Sequence, residues 1–411
     1  MCDTFTFFSK TGDNRSFFAK NSDRDPGEVQ IIEFINNAKT NFETDFLSER
    51  LPKYTAIQFE QLKKLFHKYE HPYAAIISRP TWMWGAEMGT NENGLSIGNE
   101  ALFSKQKLIP DGLLGMDILR LALHNCANAT EAVAFITAII EKYGQGGNGS
   151  YSGNLHYHNS FLLKDINKAF VLETSAKEWA VKEIKDAASI SNIYTIKDDY
   201  QTASKGILGK NLKKSFEKKL FSFFAAGDFR QNYSAKQIET CNKDLPQVFD
   251  ILRSHIRPEN KTSRGMKSIC VHPGTIIKSE TTSSFVVDYI NDKQIIWQTS
   301  SPNPCVSLYK PMVVSANPDA FPVFKSMSKS LDYFISNRKL SEYFLKHPQI
   351  FEEKIKKQRN QLEHEFQTLI YTHLANKSKD ELVNDCLSCY KKEQEYIAFA
   401  KEITEQHHGT N

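Results

Sequence analysis

The chain has 411 residues, of which 40% are hydrophobic and 12% aromatic, and its formal net charge is only +4. This is enough apolar material for a substantial core, as one large domain with an extension or as two domains. The small charge does not favour a nucleic-acid binder, and no stretch approaches the roughly 20 apolar residues of an integral membrane segment. Seven scattered cysteines and the lack of a signal-peptide pattern suit a reducing cytoplasm.

The first feature along the chain is Cys2, which directly follows Met1. Initiator methionine is normally trimmed only when the next side chain is small, and cysteine qualifies. Trimming would place the thiol beside a free α-amine, whose unperturbed pKa of about 7.7 to 8.0 lets it accept and return a proton near neutrality. Thiol and amine would then form a complete nucleophile without a histidine. The alternative is an incidental cysteine at a frayed terminus.

Residues 4–20 are typical of a strand, a turn and a returning strand. Such a hairpin would place the polar cluster that begins at Lys20 beside Cys2. Asp23 could then hold the α-ammonium, while Lys20 could favour a thiolate or bind a substrate carbonyl or carboxylate. A solvated turn ended by Pro26 explains the same residues equally well.

Two asparagines follow that could act on an oxyanion. Asn99 ends a strand-like segment, residues 95–97, and so could lie at the rim of a sheet, although it could also cap a turn. Asn192 precedes Tyr194 in a segment that a plain turn would also explain. Attack on an amide carbonyl creates an oxyanion, which a preorganised amide donor stabilises.

The clearest predicted helix covers residues 128–143, with Asn128 as its cap, an apolar face and Gly144 as its stop. Strand-like runs at 161–163 and 169–173, joined by a turn, predict a second hairpin. Short strands that alternate with helices favour an α+β fold of two packed antiparallel sheets covered by helices.

The character of the chain changes after residue 325. Residues 326–411 are charged, nearly free of glycine and proline, and helical in period, and their apolar stripe consists of Phe351, Ile355, Leu362, Phe366 and Leu369. We therefore predict a catalytic part at 1–325 and a helical C-terminal extension at 326–411. The stripe must pack against the sheets, a second copy in a homo-oligomer, or another partner.

Two motifs suggest metal binding without fulfilling its usual spacing. Cys386 and Cys389 have the C-x-x-C spacing but lie in a helical segment with no second pair, and His156 and His158 have no convincing third ligand. The sequence therefore predicts neither a metal nor a cofactor.

Several motifs occur in a fixed order along residues 1–325. They are M-C-D-T-F and F-A-K-N-S-D-R-D-P-G-E-V-Q near the start, W-M-W-G-A-E-M-G-T-N-E-N-G-L-S-I-G-N-E-A from Trp82, L-L-G-M-D-I-L-R-L-A-L from Leu113 and I-S-N from Ile190. Together they resemble the secernins and the related cysteine dipeptidases. These proteins are N-terminal-nucleophile hydrolases akin to bile salt hydrolases and penicillin V acylases.

The resemblance implies a four-layer αββα sandwich, with Cys2 as the nucleophile and Asp23 as the carboxylate that orients its amine. It also implies that Asn99 is the oxyanion-hole asparagine and Asn192 a second active-site asparagine. Lys20 stands where bile salt hydrolases carry an arginine. Because lysine lacks the planar fork that grips a carboxylate with two hydrogen bonds, substrate preference does not transfer from those enzymes.

A late arginine of the bile salt hydrolases has no secure match, and Arg253 and Arg264 are the candidates. The function implied is a cysteine-type hydrolase of a small peptide or N-acyl amide, with a dipeptidase as the first choice. One alternative is a secernin-like interaction protein of exocytosis on a hydrolase scaffold, and another is an N-acyl amidase.

Overall fold

The computed structural model describes residues 1–8, 14–36, 53–241, 244–255, 265–274, 278–315, 321–324 and 326–409. Within them the fold is α+β, which confirms the prediction, and its strands form two antiparallel sheets. Most of the first predicted turn, residues 9–13, and Arg264 lie outside the described residues. The strands in chain order are β1 (Cys2–Phe8), β2 (Arg15–Arg24), β3 (Gln30–Ile35), β4 (Ala75–Pro80), β5 (Met88–Asn91), β6 (Ser96–Leu102), β7 (His158–Lys164), β8 (Ala169–Ser175), β9 (Glu178–Ile184), β10 (Ala187–Ile190), β11 (Thr202–Ala203), β12 (Glu280–Ile290), β13 (Lys293–Gln298) and β14 (Lys310–Met312).

The helices lie between the strands along the chain and after the last strand. They are α1 (Ala56–Lys68), α2 (Gly115–Asn125), α3 (Ala129–Tyr143), α4 (Leu212–Phe216), α5 (Lys219–Phe224), α6 (Gly227–Thr240), α7 (Leu245–Leu252), α8 (Met327–Lys346), α9 (Pro348–Ile350), α10 (Lys356–Leu374) and α11 (Lys379–Gly409). A π-helical turn, Phe351–Ile355, joins α9 to α10. Helix α3 confirms the predicted helix, because Asn128 caps it and Gly144 ends it.

The two sheets stack between layers of helices. The first sheet has the strand order β10-β1-β2-β12-β13-β14, and the second has the order β11-β9-β8-β7-β6-β5-β4-β3. Helices α1 to α3 pack their apolar residues onto the outer face of the second sheet. A larger core fills the space between the sheets and continues under α7 and the C-terminal helices. The order helix, sheet, sheet, helix is the layered arrangement expected for burying both faces of two sheets.

The N-terminal hairpin is present, as predicted, and its register positions the first residues. Strand β1 pairs with β2 so that Cys2 lies opposite Ser22 and Thr4 opposite Lys20. Because side chains alternate along a strand, Thr4 and Lys20 face the second sheet, where both contact Glu100. Asp3 faces the opposite side, where it meets α6. The start of β1 is therefore fixed by packing on both faces.

Helices α8 to α11 pack on the sheets of their own chain. In the predicted stripe, Phe351, Ile355 and Phe366 are buried in the same core as β12 and β13. Leu362 and Leu369 are partly buried against it. The apolar stripe is thus covered within the chain. No described helix has the length and apolar content needed to cross a membrane.

Candidate active site

Cys2 is buried at the start of β1, with only 4% of its surface exposed. Its Sγ lies 4.0 Å from Ser22 Oγ on the neighbouring strand and 3.9 Å from Glu87 Oε2. Glu87 was not predicted as a site residue, because nothing in its sequence segment shows that β5 begins opposite the first strand. The thiol therefore has a hydroxyl and a carboxylate as its nearest polar neighbours.

Asn192 reaches Cys2 because of strand register. Antiparallel pairing of β1 with β10 sets Thr4 opposite Ile190, so that two residues further along the chain direction Asn192 comes opposite Cys2. The Cys2 backbone N–H donates to Asn192 Oδ1 at 3.0 Å, and Asn192 Nδ2 donates to Ala101 O at 3.0 Å. The structure therefore brings this predicted asparagine to the first peptide unit.

Asp23 contacts the N-terminus with its main-chain oxygen and not with its carboxylate. The terminal amine of Met1 donates to Asp23 O at 2.5 Å. The Asp23 carboxylate instead accepts from Thr281 Oγ1 at 2.6 Å and pairs with Arg230. The Asp23 carboxylate thus contacts Thr281 and Arg230, and its role in orienting the amine of Cys2 stays a prediction.

Arg230, on α6, is a fully buried residue that sequence reasoning missed. Its guanidinium bridges the carboxylates of Asp23 and Asp3, with Nε 2.9 Å from Asp3 Oδ2. The candidate Arg253 lies elsewhere, because its guanidinium binds Glu363 at 3.0 Å and the carbonyls of Pro304 and Ser307. The arginine beside the N-terminal carboxylates is therefore Arg230.

Lys20 is enclosed between the two sheets. Its Nζ donates to Asn99 O at 2.7 Å and pairs with Glu100 Oε1 at 3.1 Å, and both side chains are fully buried. Although burial opposes the charge, the nearby Cys2 and Glu100 raise the pKa of Lys20 above its usual value. Burial raises the pKa of Glu100 to about 7, with Lys20 opposing the rise. Lys20 thus supplies a fixed positive charge near the thiol.

The Asn99 side chain occupies a different place. Its Nδ2 lies 3.1 Å from Asn159 Oδ1 and 3.2 Å from Met116 Sδ, which places it on the side of β6 that faces α2. Its Oδ1 has no hydrogen-bond partner among the described residues. Among the described residues, no hydrogen bond joins the Asn99 side chain to Cys2. The oxyanion role of Asn99 therefore stays a prediction.

Glu87 belongs to a buried ion-pair network beside the thiol. Arg24 binds Glu87 at 2.8 Å and Glu28 at 3.0 Å, and Trp82 Nε1 donates to Glu28 at 2.7 Å. These residues lie within two of the motifs that carry the resemblance. The sequence alone does not reveal their ion pairs, because the residues meet only when the sheets stack. The network fixes the position of the Glu87 carboxylate beside the thiol.

The electrostatics keep the Cys2 thiol protonated while Met1 is attached. Burial raises the pKa of Cys2 to about 11, and the attraction of Lys20 only partly opposes the rise. A thiol with that pKa is a poor nucleophile near neutrality, because the thiolate is the reactive form. Cys2 therefore needs a base at its side.

An apolar cluster surrounds Met1 beside the thiol. Met1 packs against a cluster of buried side chains from five separate segments. The cluster consists of Trp82, Met83, Phe103, Leu114, Met116, Tyr157 and Ala225. The side chain next to the peptide bond of Cys2 is therefore held in an apolar environment. Of the two histidines that the sequence analysis discounted as metal ligands, His156 is exposed and His158 is buried.

Comparison with known proteins finds a family model described as acyl-coenzyme A:6-aminopenicillanic acid acyl-transferase, which matches residues 10–188. Penicillin V acylase from Agrobacterium tumefaciens is 12% identical, with a TM-score of 0.41 over 76% of this chain and 86% of that one. A mutant conjugated bile acid hydrolase from Clostridium perfringens is 14% identical, with a TM-score of 0.40 over 72% of this chain and 88% of that one. The Caenorhabditis elegans ortholog of N-acylethanolamine-hydrolyzing acid amidase is 13% identical, with a TM-score of 0.37 over 70% and 99%.

The family model matches less than half of the chain and the TM-scores are all below 0.5, so membership of the N-terminal-nucleophile hydrolase superfamily stays a prediction of the sequence motifs. The matches do not single out the secernins. Identities of 12 to 14% are too low for the role of any residue to be transferred.

Proposed function

We propose that this chain is a cysteine-type N-terminal-nucleophile hydrolase of small amides, with a dipeptide as the first substrate to test. The observation that carries the proposal is the first peptide unit. A single residue, Met1, separates the buried Cys2 thiol from the terminal amine, and the polar groups that bind nitrogen are already in place. They are Asn192 Oδ1 at the Cys2 nitrogen and Asp23 O at the Met1 nitrogen.

Removal of Met1 converts the Cys2 nitrogen from an amide into a base. The α-amine then takes the thiol proton, Sγ attacks the substrate carbonyl carbon, and the amine returns the proton to the leaving nitrogen as the C–N bond breaks. Water, deprotonated by the same amine, hydrolyses the thioester and frees Sγ. The ammonium formed in each half is held by Asn192 Oδ1, which accepts from this nitrogen before cleavage as well.

The positive charge of Lys20 supports the step at sulfur. Its Nζ is fully buried beside Glu100, and the charge favours negative charge on the Cys2 thiolate. Because Nζ is bound to Asn99 O and Glu100, it acts at a distance and does not grip a substrate carboxylate. We therefore assign Lys20 a positioning and electrostatic role.

The apolar cluster around Met1 supports a substrate with an apolar group beside the scissile bond. Departure of Met1 frees the space that its side chain fills against this cluster. An N-acyl amide is the second candidate, and a specific observation favours it. Phe223 and Phe224, which are 76% and 52% exposed, line a groove of about 860 Å³ next to Ala225 of the same cluster.

The decisive experiment measures maturation and turnover together. Intact mass of protein made without an N-terminal tag is expected to lack Met1, and a panel of unblocked dipeptides and N-acyl amides is expected to contain a substrate. Cys2→Ser and Cys2→Ala should abolish thioester formation while both variants stay folded. Met1 retained throughout an active preparation would refute the mechanism, because an acylated nitrogen cannot act as the base.

The two asparagines are separated by the same assay. If Asn99 donates to the oxyanion, Asn99→Ala should lower kcat/KM, with a loss of transition-state stabilisation of about 3 kcal/mol. Asn192→Ala should instead disturb the pH dependence of kcat/KM, because Asn192 binds the nitrogen that acts as the base. Equal inertness of wild type and Cys2→Ser on every substrate would favour a secernin-like interaction protein instead.

A cytoplasmic location belongs to the proposal too, and it is supported by seven cysteines, none of which forms a disulfide.

A further inference from the structure

Four metal-ligating side chains converge on one point away from Cys2. They are His255, Cys270, His272 and Cys305, and one ligand atom of each lies within 4.8 Å of all the others. His272 Nε2 is 3.0 Å from His255 Nε2, 3.5 Å from Cys305 Sγ and 3.8 Å from Cys270 Sγ. Cys270 and His272 are buried, and the other two are partly buried.

Two of these three separations match the edges of a tetrahedral zinc site. Zinc binds thiolate at about 2.3 Å and imidazole nitrogen at about 2.0 to 2.1 Å, so neighbouring ligand atoms of a tetrahedron lie about 3.3 to 3.8 Å apart. The distances from His272 Nε2 to the two sulfurs, 3.5 and 3.8 Å, fall in that range. The nitrogen pair at 3.0 Å needs to open by only a few tenths of an ångström.

The tautomer of His272 is set for metal binding. Its Nδ1 lies 3.0 Å from Asn303 Oδ1, and Asn303 Nδ2 donates to Glu280 Oε1 at 3.2 Å, which fixes Asn303 with its oxygen toward the ring. Nδ1 must then carry the proton. The lone pair of Nε2 therefore points to the space between the four ligand atoms, where a metal ion would bind. A second hydrogen bond of this kind orients most metal-binding histidines.

The backbone around the four ligands is also held in place. Cys270 N donates to Ser254 O at 3.1 Å, beside His255, and Gly265 N donates to His272 O at 3.1 Å. Val271 N donates to Thr281 Oγ1 at 2.8 Å. The residues that carry three of the ligands are thus joined by main-chain hydrogen bonds.

We propose that His255, Cys270, His272 and Cys305 bind one Zn²⁺ ion in a structural site. Two thiolates and two neutral imidazoles cancel the charge of the ion, so the buried site is neutral, and binding releases two thiol protons. Four protein ligands leave no position for water or substrate, which is the arrangement of a structural and not a catalytic zinc. The sequence predicted no metal, because the ligands are spread over 51 positions without a repeated pair.

The site would tie the catalytic part of the chain to its C-terminal helices. Thr281, which binds Val271, also donates to the Asp23 carboxylate at 2.6 Å. On the other side, Arg359 of α10 donates to Cys305 O at 2.6 Å. A metal at this point therefore fixes segments that contact both ends of the fold. The proposal is independent of the proposed function, because its readout is metal content.

The experiment uses the untagged full-length chain, purified without chelator and analysed for metals by mass spectrometry. We expect about one zinc per chain, and less than about 0.2 in Cys270→Ser and in Cys305→Ser. Cys241→Ser is the matched control, since Cys241 lies outside the cluster, and it should keep its zinc. X-ray absorption of the wild type should give two sulfur and two nitrogen neighbours, which tests the site even if a variant fails to fold.

Two results would overturn the proposal. One is wild-type protein whose zinc content does not exceed that of the two cysteine variants. The other is a disulfide between Cys270 and Cys305, detected by peptide mapping without reduction in freshly purified protein. Cobalt added in place of zinc offers an independent check, because a tetrahedral thiolate site gives a visible absorption band and a surface site does not.

Discussion

Arg230 joins two carboxylates that lie beneath the first strand. Asp3 and Asp23 are both fully buried on the face of β1 and β2 that meets α6, and the guanidinium pairs with both. Burial raises the pKa of Asp3, and the charge of Arg230 works against the rise. Without that cation, two negative groups would face each other in a space that water does not reach. The arginine is therefore required to keep the N-terminal strand in its place.

Replacing Arg230 tests this directly. Arg230→Met should lower the free energy of unfolding by about 3 to 5 kcal/mol, since it leaves buried charges uncompensated. Arg230→Lys should cost less, because the charge stays while the planar fork is lost. Urea unfolding measures both. Lys213→Met is the control, because the Lys213 pair with Asp228 is open to solvent, with side chains 30% and 62% exposed, and should contribute about 1 kcal/mol or less. An equal cost for both methionine variants would contradict the bridging role.

The residues of the site were predictable to different degrees. Cys2 and Asn192 could be named from the sequence because their motifs are local, and the structure brings them together. Arg230 and Glu87 could not, since each gains its role only when distant elements pack. Asn99 shows the limit of the motif argument, because strand alternation decides the face on which a side chain lies and its contacts lead toward α2.

At the scale of elements, helix α2 packs an ionisable group into the core. His124 is fully buried, its Nδ1 lies 2.9 Å from Tyr73 O, and its Nε2 has no hydrogen-bond partner among the described residues. Burial, helped by the nearby Arg120, lowers the pKa of His124 to about 3. The folded protein therefore holds this histidine neutral over a pH range in which a free histidine takes up a proton.

Acid should weaken the fold through His124. In the unfolded chain this residue titrates near pH 6.5, so below that pH the unfolded state binds a proton that the folded state refuses until about pH 3. The free energy of unfolding then falls by up to about 1.4 kcal/mol for each unit that the pH drops. His124→Asn keeps a donor for Tyr73 O and should have a flatter profile between pH 6.5 and 4. His364→Asn, at an exposed position, should leave the slope unchanged; the same slope in all three proteins would contradict the prediction.

Local elements were easier to predict than their partners. The β1–β2 hairpin and the capped helix α3 are contained in short segments, and both are present where the patterns placed them. The pairing of β1 with β10 and of β2 with β12 joins residues that are 180 or more positions apart. Side-chain alternation tells which face of a strand is buried, but it does not tell which strand lies beside it.

At the scale of the whole molecule, the C-terminal helices are joined to the sheets by polar as well as apolar contacts. Buried polar contacts cross from the sheets to the C-terminal helices. Lys310 pairs with Glu393 at 3.0 Å, and Gln298 Nε2 donates to Tyr390 at 2.8 Å. The boundary at residue 325 therefore marks a change in composition, and we propose that the parts on either side of it fold as one unit.

The tryptophans allow this proposal to be tested in the intact chain. All four, Trp82, Trp84, Trp179 and Trp297, precede residue 326, so their fluorescence reports mainly on the sheets and the helices before that residue. Trp297 also packs near Tyr371 of α10, with ring centroids 6.3 Å apart. Far-ultraviolet circular dichroism is dominated by helix, much of which lies in α8 to α11. If the chain unfolds as one unit, both signals should give the same midpoint in urea.

A substitution in the C-terminal helices should then be felt by the tryptophans. Ile370 of α10 is fully buried in the core shared with the first sheet, and Ile370→Ala should lower the free energy of unfolding by about 2 to 5 kcal/mol. Both signals should move together, although no tryptophan belongs to α10. Leu369→Ala, at a partly buried neighbour, should shift them less. If Ile370→Ala moved the dichroism midpoint and left the fluorescence midpoint in place, α8 to α11 would be a separate domain, and deleting residues 326–411 should then leave a soluble chain that retains the chemistry of Cys2.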